Sequence, residues 1–274
     1  MKQRTVFFIS DQTGITAETL GRSLLSQFDS IKFRQVTVPF IATVDKARDV
    51  VSKINLTAKV EGARPIVLST LVHDELRNIV KESEGLFLDF IDAFIGPLEE
   101  ELGQKSTHTS GMAHGVTDTS VYTKRIDAMN FAIANDDGVS TAQYDSADVI
   151  LIGVSRSGKT PTCLYLALQY GVYAANFPLD EEQLEASQLP KGLIPYSNKL
   201  YGLTIDAERL QQIRNERRPN SRYASPQQIN FELRAAEALY RKHGIGFINT
   251  TQCSIEEIAS TILSEQSLTR RVRL

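Results

Sequence analysis

The chain has 274 residues, 42% of them hydrophobic and 23% charged, with a formal net charge of −3. That balance describes a soluble globular protein with apolar material for two domains, and so small a charge gives no global attraction to nucleic acid or membrane. Two cysteines, Cys163 and Cys253, make neither a disulfide framework nor a metal-ligand spacing, and no apolar run approaches a signal peptide or a membrane span, so a reducing cytoplasm is the expected setting.

In chain order, "RTVFFIS" (4–10) has the apolar character of a strand. The helix "TAETLGRSLLSQF" follows and is expected to face inward through Leu20, Leu24, Leu25 and Phe28. "RQVTVPFI" (34–41) is a second strand, "DKARDVVSKINLTAKVEG" a helix stopping at Gly62, and "RPIVLSTLV" (64–72) a third strand. After the helix "DELRNIVKESEG", the stretch "LFLDFIDAFIGPLEEEL" sets Phe87, Phe90, Ile91, Phe94 and Leu98 on one apolar stripe, either core or an interface between copies. Strands alternating with helices at this spacing imply a mostly parallel sheet with right-handed crossovers. Residues 103–120 are polar and rich in glycine and threonine, which marks a linker. The expected architecture is therefore α/β: an N-terminal, mostly parallel sheet domain over 1–105, then a second α/β domain over 106–274.

The second half opens with a helix over "YTKRIDAMNFAIANDDG" and continues with the buried-type strand "ADVILIG". There the chain spells "GVSRSGKTPT" (153–162), the pattern G-x-x-x-x-G-K-T, and then the helix "TPTCLYLALQYG", with Leu164, Ala167 and Leu168 at helical spacing and Gly171 as its stop. The pattern alone is a modest signal, but strand, glycine loop and helix are the arrangement that phosphate binding needs. Gly153 and Gly158 free the backbone so that the N–H groups of Val154, Ser155, Arg156 and Ser157 can turn inward on phosphate oxygens. The helix adds its unpaired N–H groups and dipole. Lys159 is placed to reach terminal phosphate oxygens and Thr160 to ligate Mg²⁺. Pro161 is tolerated in a first turn that has no use for its N–H. Arg156 is the unusual member, a second cation able to clamp a phosphoryl group through a fork of donors. Cys163 falls in the helix as a small core residue.

Beyond the loop, "VYAANFPL" (172–179), "KLYGLTI" (199–205) and "IGFINT" (245–250) have strand character. Ser225–Pro226 opens a long helix with its N-cap and first-turn proline, and Ser254 with Glu257 forms a capping box.

Three further constellations stand out. Ser10, Asp11, Thr13, Gly14 and Thr16 join a strand to a helix and suit either a second anion, a hydroxyl-bearing substrate, or simply a well-capped turn. Arg214, Arg217, Arg218 and Arg222 either face solvent or form a lid over phosphates, with the lid favoured beside a phosphate loop. Asp206, just after a strand, is a Mg²⁺ holder through water or a helix N-cap. Asp136 and Asp137 offer a carboxylate to take an acceptor's proton, although a turn before Gly138 explains them as well. His73, His108, His114 and His243 show no ligand spacing.

Together "FFISDQTGITAETLG", "DDG", "GVSRSGKTPTCLYLA", "GVYAANFPL", "LYGLTIDAERLQQIR", "NSRYAS" and "SIEEIA" resemble, in order and over essentially the whole chain, the bacterial phosphoenolpyruvate synthase regulatory proteins. The resemblance implies a bifunctional serine/threonine kinase and phosphorylase. Such proteins use ADP to phosphorylate a threonine of phosphoenolpyruvate synthase and inactivate it. They reverse the step with inorganic phosphate, releasing pyrophosphate. It maps the nucleotide site onto Gly153–Thr160, implies a homodimer, and assigns no base. A sister group acts on pyruvate, phosphate dikinase and typically carries serine where this loop has Gly158, which tilts the resemblance toward the synthase. From the residues alone, an ATP-dependent small-molecule kinase and a non-catalytic nucleotide-sensing binder stay open.

Overall fold

The computed structural model describes residues 3–109, 119–138, 141–269 and 271. The chain divides into two compact units, Met1–Gly115 and Val116–Leu274. Residues 110–118 of the expected linker, His114 among them, lie outside the described residues.

The first unit is a four-stranded parallel sheet in the order β2-β1-β3-β4, built from β1 (Gln3–Ile9), β2 (Lys32–Val38), β3 (Ile66–Ser69) and β4 (Leu86–Asp89). Its helices are α1 (Ile15–Leu25), α2 (Val44–Glu61), α3 (Asp74–Lys81) and α4 (Asp92–Leu102). Alternate residues of β1 face opposite ways: Phe7 and Ile9 pack with Ala47, Val50 and Ile54 of α2, while Val6 and Phe8 pack with Ala17 and Leu25 of α1.

Two expectations for this unit need correction. Helix α1 buries Ala17, Gly21 and Leu25, whereas Leu20, Leu24 and Phe28 are exposed. A Cβ on Gly21 would overlap the Phe8 ring and lie 2.6 Å from Leu68 Cδ1. The helix lies so close to the sheet that its small residues make the contact, and the leucine stripe faces away. The stripe from Phe87 to Leu98 is likewise divided. Phe87 belongs to strand β4, and Phe94 and Leu98 stand exposed on α4, which buries none of its residues.

The second unit repeats the plan. Its parallel sheet runs β6-β5-β7-β8, and its elements in chain order are α5 (Thr119–Ala134), β5 (Val149–Gly153), α6 (Lys159–Tyr170), β6 (Ala174–Pro178), α7 (Glu181–Glu185), β7 (Leu200–Thr204), α8 (Ala207–Arg217), α9 (Pro226–His243), β8 (Phe247–Asn249) and α10 (Ile255–Glu265). Every residue of β5 is buried, as a central parallel strand requires. Ile150 and Ile152 face the layer containing α9, and Val149 and Leu151 face α5, α6 and α10. The caps behave as their sequences indicate: Ser225 Oγ accepts from Gln228 N ahead of α9, and Ser254 with Glu257 closes a reciprocal box on α10. On α6, which forms as the spacing indicates, the buried line is Thr162, Cys163, Leu166, Ala167 and Tyr170, and Leu168 is exposed.

Candidate functional site

Strand order places the site. The chain leaves β5 for β6 on one side of the sheet and later returns to β7 on the other, so the carboxyl edge between β5 and β7 is a topological switch point, where open α/β sheets hold ligands. The 153–158 loop lies there, joining β5 to α6. Gly153 is required by close approach, since a Cβ would sit 2.6 Å from the Leu203 carbonyl oxygen of β7. Gly158 caps α6 in the left-handed region, with φ 98°, a conformation that frees the first turn of the helix to present its N–H groups forward. Lys159, Thr160 and Pro161 form that first turn.

Lys159 is 5% exposed, and its Nζ donates to the carbonyl oxygens of Gly153 and Val154, each at 2.9 Å. Burial pulls its pKa down to about 8, against the opposing attraction of Asp137 and Asp136. Arg156, by contrast, is exposed and holds φ 75°, a left-handed backbone costly for a residue with a Cβ. It persists because both neighbours are pinned. The Ser155 carbonyl accepts from Arg214 at 3.1 Å, and the Ser155 hydroxyl bonds Tyr223 Oη at 2.9 Å. The Ser157 carbonyl accepts from Thr250 Oγ1 at 3.2 Å.

Opposite the loop's threonine is a polar cluster that sequence reasoning only half found. Thr160 Oγ1 donates to Asp136 Oδ1 at 2.9 Å. Asn176 Nδ2 donates to the same carboxylate oxygen and to Thr160 Oγ1, the latter at 3.1 Å. Asn176 is buried in β6, and its Oδ1 finds no partner among the described residues. A lone asparagine inside the strand "AANFP" was the available signal, because a polar side chain in the buried part of a strand needs a partner. Asp137 is exposed, at φ 54°, and Gly138 N donates to the Asn176 carbonyl, so the DDG stretch is also a turn.

The remaining candidates separate. Arg214 is no lid: it is fully buried, paired with Glu232 at 2.6 Å. Arg217 and Arg218 are exposed, and Arg222 pairs with Glu181. Asp206 occupies the N-cap position of α8, but its carboxylate accepts from Asn249 Nδ2 at 2.7 Å rather than capping the helix. Cys163 is buried, its thiol directed to the Ala175 carbonyl and its pKa raised by burial. His108 faces Asp74 and Glu99 in the first unit, and His243 ends α9. Ser10, Asp11, Thr13, Gly14 and Thr16 line a cavity of about 410 Å³ at the corresponding edge of the first sheet, where Asp11 Oδ2 accepts from Val72 N.

Among the described residues no three His, Cys, Asp or Glu side chains gather as a metal cage, and no helix is long and apolar enough to cross a membrane. The hard oxygens of Thr160 and Asp136 do suit a partial Mg²⁺ shell that phosphate and water would complete.

The sequence profile of the kinase/pyrophosphorylase family matches residues 6–263. A protein of Stutzerimonas stutzeri is 54% identical over 271 residues, covering 99% of this chain and all of the relative. Relatives from Alcanivorax borkumensis and Pseudomonas aeruginosa are each 53% identical over 99% of this chain, covering 100% and 99% of the relative respectively. All three carry the provisional name of phosphoenolpyruvate synthase regulatory protein. By its profile and by full-length relatives, the chain belongs to the kinase/pyrophosphorylase family.

Proposed function

We propose that this protein is a bifunctional regulator of phosphoenolpyruvate synthase. In one direction it transfers the β-phosphoryl group of ADP to a threonine of the synthase and inactivates it. In the other it uses inorganic phosphate to remove that group as pyrophosphate. The observation that carries this reading is Lys159, a buried ammonium inside a glycine loop at the β5/β7 switch point, in a chain of this family. The regulatory name of the relatives supports the synthase as the partner over the dikinase.

The chemistry follows from the charges. In ADP the β-phosphate is terminal, so a cradle of loop N–H groups between Val154 and Thr160, apart from that of Ser157, which donates to the Val154 carbonyl at 3.3 Å, would hold the group in transfer. Lys159 and Arg156 would neutralise its equatorial oxygens as the bond to AMP loosens. The threonine oxygen attacks in line, the P–O bond to AMP breaks, and the hydroxyl proton goes to a carboxylate. Asp137 fits that role better than Asp136, whose Oδ1 already accepts from Thr160 and Asn176. In reverse, a phosphate oxygen attacks the phosphothreonine, the P–Oγ bond breaks, the threonine oxygen recovers a proton, and pyrophosphate leaves. Mg²⁺ held by Thr160 and Asp136 would supply further charge neutralisation.

The test is intact-mass measurement of purified synthase incubated with this protein and ADP, and afterwards with phosphate. Gain of one phosphoryl group that phosphate then removes, with pyrophosphate formed, is the expected result. Inhibition of the synthase without a mass change would instead mark a stoichiometric binder, and a requirement for ATP would overturn the donor assignment.

A further inference from the structure

We propose that Arg214 and Tyr223 form a positioning relay that sets the shape of the phosphate loop from outside it. This rests on the loop being the nucleotide site. Arg214 is fully buried in α8, and its guanidinium joins four pieces of chain. Nη2 donates to Glu232 Oε2 of α9 at 2.6 Å and to the Ser155 carbonyl of the loop at 3.1 Å. Nη1 donates to the Tyr223 carbonyl at 3.0 Å, and the Tyr223 ring lies 4.2 Å from the guanidinium carbon. Tyr223 then closes the circuit: its hydroxyl bonds the Ser155 hydroxyl at 2.9 Å. Ser155 is thus held twice, once through its carbonyl and once through its side chain, by two residues that themselves stack.

A guanidinium buried this completely is a poor way to gain stability, because an apolar side chain would do as well without the desolvation cost. Its geometry instead serves the loop. With Ser155 fixed on one side and Ser157 held by Thr250 on the other, Arg156 is forced into its left-handed backbone and its side chain is presented to solvent. The neighbouring support of Glu232 is also specified: its second oxygen accepts from Gln228 Nε2 at 3.0 Å, and Gln228 accepts from Arg222. The relay therefore extends from the 222–224 turn to the loop, and neither residue need touch the nucleotide to govern its binding.

Replacing Arg214 would strand the Glu232 carboxylate in the interior and endanger the fold, so the informative variants are Tyr223→Phe, Ser155→Ala and the double variant. ADP affinity is measured by calorimetry and melting temperature by scanning calorimetry, with Lys159→Ala as the control. The relay predicts that each single variant weakens ADP binding about five- to tenfold, that the double variant is no worse than the worse single, and that melting temperatures barely move. Tyr223→Phe binding as wild type, while Lys159→Ala loses binding, would overturn the relay and leave the nucleotide site standing. Effects that multiply in the double variant would also overturn it. Wild-type affinity in Lys159→Ala would place ADP elsewhere and remove both.

Discussion

Thr160 donates its hydroxyl hydrogen to Asp136 Oδ1 at 2.9 Å although 24 residues separate them, so the loop's helix and the turn after α5 share one proton position. The hydroxyl's remaining lone pair is then fixed in direction, with Asn176 holding both partners from β6. If this pair provides the protein's share of a Mg²⁺ shell, Asp136→Asn should raise the Mg²⁺ needed for half-maximal ADP binding about tenfold or more. That is the scale of losing a bond to a charged group, about 1.5–3 kcal/mol. Titrating Mg²⁺ against bound fluorescent ADP checks it. Asp137→Asn should leave that midpoint in place and instead slow transfer at saturating nucleotide.

Lys159 supplies a pH dependence whose sign can be worked out. Its pKa in the folded protein is lowered from 10.5 to about 8, chiefly by burial. An anion in the loop needs the ammonium form, so above pH 8 binding must take up a proton, and affinity should fall by about tenfold at pH 9. Calorimetry in buffers of different ionisation enthalpy should show proton uptake on binding at pH 9 and little at pH 7. Lys159→Arg should abolish the uptake. The ligand-free protein runs the other way. Between about 8 and 10.5 the unfolded chain holds the proton and the folded chain does not, so this residue's contribution to stability rises with pH in that window.

What could be read from the sequence was what local rules determine. The glycine loop between an all-apolar strand and a helix, the Ser225–Pro226 start and the Ser254–Glu257 box each follow from a few adjacent residues, and each stands as expected. Three-dimensional neighbours were harder to see. Arg214 lies among other arginines in "RNERRPNSRY", and only packing separates the one that is fully buried from the three that are exposed. Asn176 and Tyr223 reach the site from a strand and a turn 16 and 68 residues from their partners in the loop region, Thr160 and Ser155. Periodicity in α1 misled for a different reason: it counts leucines and gives no weight to a glycine that lets a helix approach.

Arg156 separates stability from activity. At φ 75° it carries a left-handed cost of about 1–2 kcal/mol that glycine avoids, partly offset by glycine's greater freedom in the unfolded chain. Arg156→Gly should therefore be as stable as wild type or up to about 1 kcal/mol more so by urea unfolding, yet lose about a hundredfold in transfer rate with the guanidinium. Arg156→Lys keeps the strain and one charge but not the fork, and should be slow without any gain in stability. A stable, fully active Arg156→Gly would show that the loop does not use this cation.

Helix α1 gives the last prediction, a direct contest between pattern and packing. Were the leucine stripe its inner face, Leu24→Ala would open a cavity and cost about 2–5 kcal/mol. The structure instead leaves Leu24 exposed and seats Gly21 against Phe8 and Leu68, where an added Cβ would lie 2.6 Å from Leu68 Cδ1. Gly21→Ala should then destabilise by about 1–3 kcal/mol through overpacking, despite alanine's better helix propensity. Leu24→Ala should stay within about 0.5 kcal/mol of wild type. Urea midpoints of the two variants decide the matter, because the two readings of this helix predict opposite orders.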